Sequence, residues 1–144
     1  MIPEKTITIC GKEVLMRYCA ASETGYELLS DGKSSSIFVP DIEYADDGET
    51  VVAVKQNAKT DDYIKLALAS IIAAYERNKQ EVPITAEEIM YDATPTEITA
   101  MITTVMELRT QWYTIPKTIP DNEFDDTAEK QKNAQPPAND SNAS

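Results

Sequence analysis

The sequence predicts an α+β fold in which an N-terminal β-hairpin packs on a small bundle of about four helices. Three observations predict it: apolar and polar residues alternate in residues 5–18, residues 61–77 have a helical apolar period, and residues 83–113 contain two helix-start motifs. A chain of 144 residues fits one domain. We place this domain at residues 1–116, and we expect the acidic, Pro- and Asn-rich residues 117–144 to be disordered.

The N-terminal hairpin is predicted from two alternating segments that flank Gly11-Lys12. Glycine followed by lysine fits a two-residue turn with glycine first. This turn would pair Ile9 with Val14 and Ile7 with Met16, which puts the apolar side chains on one face.

The two cysteines are expected to be free thiols. In the predicted hairpin, Cys10 lies at the turn and Cys19 lies beyond the far end of the second strand, about 20 Å away. A disulfide needs Cα atoms within about 7 Å of each other. Free thiols are consistent with a reducing compartment.

Residues 20–30 are predicted to form a short helix, and residues 41–50 an acidic loop with a turn at Asp46-Asp47-Gly48. In the helix, Gly25 would allow a close approach to the hairpin. The apolar residues expected to face the core are Ala21, Leu28 and Leu29. The four residues Val51–Val54 are too short to decide between strand and other structure.

The central helix is predicted at residues 61–77, with a cap at Thr60 or Asp61. Its apolar stripe is wide, so we expect the helix to be mostly buried. The residues of this stripe are Tyr63, Ile64, Leu66, Ala67, Leu68, Ala69, Ile71, Ile72 and Tyr75.

Two capping boxes predict short and long helices near residues 86–91 and 95–113. In each box, a threonine is followed three residues later by a glutamate. The long helix carries a methionine- and aromatic-rich stripe, which is typical either of a core or of a protein-binding surface. The candidate partner-binding residues of this stripe are Met101, Ile102, Val105, Met106 and Trp112.

Composition excludes several classes of function. A formal charge of −12 argues against nucleic-acid and membrane-surface binding, and no apolar run is long enough for a membrane span. The chain has no histidine and two cysteines, so it offers no histidine-based catalytic triad and no zinc site. We expect no enzyme activity, no catalytic residue, no metal and no cofactor.

Two acidic clusters also fit structural roles better than metal binding. The acids around Gly48 do not have the spacing of a calcium loop. Asp61-Asp62 stands where the positive end of a helix favours carboxylates. A DNA-binding helix-turn-helix at residues 84–98 is disfavoured because residues 81–108 contain no lysine or arginine.

The order of the motifs resembles a known family. The hairpin from Thr6 to Val14 contains Ile-Cys-Gly-Lys-Glu, the central helix contains Leu66–Tyr75, and Pro83–Ile89 reads Pro-Ile-Thr-Ala-Glu-Glu-Ile before the last helix. Over about residues 4–113, the chain resembles the tail assembly chaperones of long-tailed bacteriophages and prophages.

This resemblance implies a non-catalytic protein of the bacterial host cytoplasm. It would shield apolar helices of the tape-measure protein and assist assembly of the tail tube, with the tail tube protein as a further partner. Self-association stays open. The alternatives are a structural accessory protein of the phage tail or head, and an acidic DNA mimic that inhibits a DNA-binding protein.

Overall fold

The computed structural model describes residues 1–116, so the predicted disordered tail at 117–144 lies outside the described residues. The chain divides at Thr114, and the architecture below is that of Met1–Thr114. The α+β prediction is confirmed, with two hairpins and four α-helices in the described residues. The elements in order are β1 (Glu4–Ile9), β2 (Lys12–Arg17), α1 (Ala20–Leu29), a 3-10 helix (Ser35–Phe38), β3 (Asp41–Tyr44), β4 (Val51–Lys55), α2 (Thr60–Arg77), α3 (Ala86–Asp92) and α4 (Pro95–Tyr113).

The first hairpin forms as predicted but with a different register. Ile7 pairs with Val14, not with Met16. The turn is Cys10-Gly11, whose φ angles of 53° and 74° match a turn with both central residues in the left-handed region. The predicted register was therefore wrong by two residues. Because an even shift keeps every side chain on its face, the apolar residues still share the buried side.

Both cysteines are free, as predicted. Cys10 lies in the β1–β2 turn, where its thiol donates to the carbonyl oxygen of Glu88 at 3.5 Å. Cys19 precedes the first residue of α1.

Helix α2 is the central element, and it is buried along most of its length, as predicted. It packs against α1, β2 and α4. The predicted cap at Thr60 or Asp61 was wrong by one or two residues. Lys59 is the cap position, and its N–H donates to the Asp62 carboxylate at 2.9 Å.

Asp62 is a buried carboxylate with a structural role. It also accepts hydrogen bonds from the Tyr26 hydroxyl at 2.9 Å and from Lys33 Nζ at 3.2 Å. Burial alone would raise the pKa of Asp62, but the hydrogen bonds from Lys59, Tyr26 and Lys33 outweigh burial and lower it. Burial and the same hydrogen bond raise the pKa of Tyr26 to about 12. The predicted capping role of this acidic pair is confirmed for Asp62.

Helix α1 turns a different face to the core than predicted. Ser22 and Tyr26 are its buried residues, whereas Ala21, Leu28 and Leu29 are exposed. The two hydroxyls can be buried because each has an acceptor: Ser22 donates to the backbone carbonyl of Arg17 at 2.9 Å, and Tyr26 donates to Asp62.

Gly25 makes the close approach that its sequence position predicted, but to α2 and not to the hairpin. A Cβ on Gly25 would lie 3.1 Å from the Cβ of Ala69. This distance is tighter than ordinary van der Waals contact. Glycine therefore lets α1 and α2 pack at close range.

Helices α3 and α4 begin where the two capping boxes predicted. The Thr85 hydroxyl accepts from the N–H of Glu88, and the Glu88 carboxylate accepts from the N–H of Thr85. Thr94 and Glu97 form the same reciprocal pair at the start of α4. Helix α4 then packs across β1 and α2.

The segment predicted as an acidic loop is partly a second hairpin. Asp41–Tyr44 forms β3 and pairs antiparallel with β4 (Val51–Lys55), so the segment that the sequence left undecided is a strand. The predicted turn lies between them, and Gly48 has a φ of 75°. Every residue of β3 and β4 is exposed.

Candidate partner-binding groove

The structure divides the predicted partner-binding stripe of α4 between core and surface. Met101 and Val105 are 0% exposed, so these two side chains are not available to a partner in this structure. Ile102, Met106 and Trp112 are half-buried. For Met101 and Val105 the prediction is corrected to a core role.

The reason is the position of α4 over β1 and α2. Met101, Val105 and Leu108 follow helical spacing and form the inward face of α4. Ile102 and Met106 lie one residue further along and so fall at the margin of that face. The apolar stripe predicted from the sequence is real, but its centre is covered inside the molecule.

Trp112 packs at the end of α4 against neighbouring aromatic rings. Its ring centroid lies 5.5 Å from that of Tyr18 and 4.9 Å from that of Tyr113. Glu23 on α1 accepts hydrogen bonds from both tyrosine hydroxyls, at 2.8 Å from Tyr18 and 2.6 Å from Tyr113. Burial and the bond to Glu23 raise the pKa of Tyr18. This cluster joins α1 to α4 through Glu23, and its two tyrosine rings pack against the indole.

Arg109 completes the cluster without a hydrogen bond of its own to Glu23. Its Nε lies 3.8 Å from the carboxylate, and this buried nitrogen has no hydrogen-bond partner among residues 1–116. Its guanidinium lies 4.6 Å from the centroid of the Tyr113 ring, which is a cation–π distance.

An apolar groove of about 310 Å³ lies between α1 and α2. Its floor consists of small residues at the close helix contact, including Gly25, Ala69 and Ala73. Leu28, Leu29 and Ile72 supply larger apolar side chains. Leu28 is 78% exposed, so it offers most of its surface to another molecule.

The groove continues to Trp112. A second depression of about 560 Å³ shares three lining residues with the first: Ala21, Ala73 and Glu76. Its other lining residues include Ile2, Cys19 and Trp112. We call the two depressions together the α1–α2 groove, which extends from Leu28 to Trp112.

The charged residues of the α1–α2 groove are Glu76, Arg17 and Arg77. A long apolar depression with small residues on its floor and charges beside it suits the apolar face of a helix.

Within residues 1–116, no group of three or more His, Cys, Asp or Glu side chains is arranged to hold a metal ion. No helix in the same range has the length and apolar character of a membrane span.

Comparison of the chain with family models, with curated proteins and with solved structures gave no match.

Sequence reasoning missed most of the groove because its residues looked like core. Leu28 and Leu29 are adjacent leucines on a short helix, which is a common core pattern. The sequence did contain a signal for the buried face of α1: Ser22 and Tyr26 are four residues apart and therefore lie on one helix face, as an alternative to the face with the leucines. Choosing between the two faces requires knowing that Asp62 and the Arg17 carbonyl lie nearby.

Proposed function

We propose that this protein is a non-catalytic phage tail assembly chaperone, and that its α1–α2 groove binds the apolar face of a helix in the tape-measure protein. The observation that carries the proposal is the groove itself: Leu28 and Leu29 stand exposed beside a floor of small residues. The resemblance over residues 4–113 supplies the identity of the partner.

The groove is suited to binding because both of its walls are fixed. Helix α2 is buried in the core, and α1 is held against it by the Gly25–Ala69 contact and the Tyr26–Asp62 hydrogen bond. A partner helix would thus meet a preformed surface, and binding would cost little ordering entropy on the protein side.

The charge of the chain supports the same role. The formal net charge is −12, so complexes of this protein with its partner would repel one another. This repulsion would keep a bound apolar segment in solution. Protein association that depends on shape and apolar contact needs no catalytic group.

The test is co-expression with a phage tape-measure protein, followed by purification and sizing of the complex. We expect a soluble complex, and we expect Leu28→Lys to reduce the amount recovered by about tenfold because it puts a charge in the apolar contact. Met90→Lys is the matched control, since Met90 is also an exposed apolar residue of a helix but does not line the groove.

Cys19 gives a second measurement of the same contact. A thiol-reactive fluorophore on Cys19, in a Cys10→Ser background, would report partner binding because Cys19 lines the groove. No soluble complex, or equal losses from Leu28→Lys and Met90→Lys, would refute the groove as the binding site. Presence of the protein in purified virions would instead support a structural accessory protein.

A further inference from the structure

A second surface of different chemistry lies on the β3–β4 hairpin. Its pairing has a bulge: Glu43 pairs with Ala53 and Tyr44 pairs with Val51, so Val52 is the extra residue. A bulge of this kind puts two adjacent residues on the same side of the strand. The hairpin thus differs from a strictly alternating one.

The bulge collects the apolar side chains on one face. Ile42 and Val54 are paired, so they share a face, and alternation adds Tyr44 and Val52 to it. Val51 joins them because it pairs with Tyr44. The other face carries Asp41, Glu43, Ala53 and Lys55. We call the first side the apolar hairpin face; its residues are Ile42, Tyr44, Val51, Val52 and Val54.

The apolar hairpin face has no cover in the described part of the chain. Its five side chains are between 46% and 57% exposed, which amounts to a patch on the order of a few hundred Å². A two-stranded hairpin alone is marginally stable in water and is stabilised by packing against a helix. The hairpin therefore gains stability from whatever covers this face.

The charge of the second hairpin indicates which kind of partner can bind the apolar hairpin face. Residues 41–55 contain five carboxylates and one lysine, a formal charge of −4, and Asp46, Asp47 and Glu49 stand together at the tip. A second copy of this chain would bring the same −4 against it, which is repulsive. A partner with lysine or arginine beside its apolar residues is complementary in both respects.

We propose that the apolar hairpin face docks an amphipathic helix of another protein, one whose polar side is basic. Its apolar side would cover the five exposed residues, and its cations would lie near the acidic tip. No residue lines both this face and the α1–α2 groove. The protein would then have two docking surfaces. The α1–α2 groove would recognise a partner mainly by the shape of its apolar face, and the apolar hairpin face would also require positive charge on the partner.

The experiment uses the full chain and two synthetic helical peptides of about 18 residues, roughly 27 Å long. Both have the same leucine-rich apolar side, but the polar side is lysine in one and glutamate in the other. Binding is measured by fluorescence anisotropy, and the site by NMR shifts of the backbone amides. We expect the lysine peptide to bind at least about tenfold tighter and to shift amides of β3 and β4.

Val54→Lys and Ala53→Lys provide a matched pair of variants. They are neighbours in β4 and change the charge equally, but Val54 lies on the apolar hairpin face and Ala53 on the opposite one. We expect Val54→Lys to weaken binding by about tenfold and Ala53→Lys by much less. Val54→Thr, which keeps a β-branched side chain, tests the same face without added charge and should give an intermediate loss.

Three results would overturn the proposal. One is equal binding of the two peptides, and another is an equal loss in Val54→Lys and Ala53→Lys, which would indicate nonspecific attraction to an acidic protein. The third is a dimer in light scattering that Val54→Lys abolishes, because the occupant would then be a second copy. Loss of tape-measure binding in Leu28→Lys is independent of all three, so the two proposals fail separately.

Discussion

Residues 1–116 contain two antiparallel hairpins of similar length, one with a buried apolar face and one with an exposed apolar face. In β1–β2, the apolar side chains are buried under α2 and α4. In β3–β4, the apolar side chains share a face just as well, but each is about half exposed. The comparison shows that an amphipathic strand pattern specifies a face to be covered, while the rest of the chain decides whether the cover comes from within.

The two hairpins also differ in how they are attached. Lys12 beside the first turn donates to the Pro83 carbonyl at 3.0 Å and to Glu88 at 2.8 Å, which ties the hairpin to the start of α3. The second hairpin is held near its base, where Asn57 donates to Val39 and Asp41, and by its own turn. We therefore expect the first hairpin to unfold with the core and the second to open locally.

The largest expected effect is a truncation in the covered hairpin. Ile9→Ala should lower the free energy of unfolding by about 2–5 kcal/mol, because Ile9 is fully buried and the change leaves a cavity. The matched change in the exposed hairpin, Val54→Ala, should stay within about 0.5 kcal/mol. Urea unfolding followed by circular dichroism measures both. Similar costs at the two sites would show that the second hairpin is covered in solution.

A smaller loss of stability is expected from a change at Asp62, whose hydrogen bonds connect α1 and α2 beside the groove. Asp62→Asn should cost about 1–3 kcal/mol, because an amide offers one acceptor oxygen where a carboxylate receives Tyr26, Lys59 and Lys33. Asp61→Asn is the control. Asp61 is exposed, and its carboxylate forms a surface ion pair with Lys65 at 2.8 Å, so the cost of this change should stay below about 1 kcal/mol.

The pH dependence of these variants follows from the lowered pKa of Asp62. An ionised carboxylate stabilises the fold fully above the unfolded pKa of 3.8, and this contribution is lost as the pH falls through the lower folded pKa. The difference between wild type and Asp62→Asn should thus be full at neutral pH and shrink in acid. A difference that is constant with pH would contradict the ionised role of Asp62.

The contrast also shows which features a sequence can predict. The starts of α3 and α4 were predicted correctly because a capping box involves residues three apart, Thr85 with Glu88 and Thr94 with Glu97. The periodicity of α2 was strong enough to give its burial. These signals are local, so no other part of the chain is needed to interpret them.

Features that depend on distant residues were predicted less well. The register of the first hairpin depends on Cys10, which adopts a positive φ in the turn. The sequence analysis placed Gly11 first in the turn because glycine adopts a positive φ more readily than cysteine. The orientation of α1 depended on Asp62 in a later helix. Met101 and Val105 were interpreted as a candidate surface because α4 is covered by β1 and α2, which precede it in the chain and are not visible in its own pattern.

The apolar hairpin face was not predicted from the sequence for a related reason. The Asp46-Asp47-Gly48 turn was predicted, but the acids at Asp41 and Glu43 made the flanking strand look like loop. An extended pattern with acids on one face and apolar residues on the other is a strand pattern. What a single sequence cannot give is whether that apolar face has a partner inside the chain.

The smallest effect on overall stability, and the most local one, is expected at the turn of the second hairpin. The Asp47 carboxylate accepts hydrogen bonds from the N–H groups of Glu49 and Thr50 and from the Thr50 hydroxyl at 2.6 Å. The Thr50 bonds are the main reason that the pKa of Asp47 falls to about 2. Asp47→Ala should speed hydrogen exchange of the amides in β3 and β4 and leave β1, β2 and the melting temperature unchanged.

Acid should act on the wild-type turn in the same way as this variant. Because the folded pKa of Asp47 is lowered, its contribution is complete above the unfolded value of 3.8 and is lost as the pH approaches about 2. Asp46→Ala is the control, since Asp46 precedes Asp47 in the same turn and no such bonds are found for its carboxylate in residues 1–116. If Asp47→Ala lowered protection in both hairpins equally, the second hairpin would be part of the cooperative core. Its exposed apolar face would then be a rigid surface and not a locally opening one.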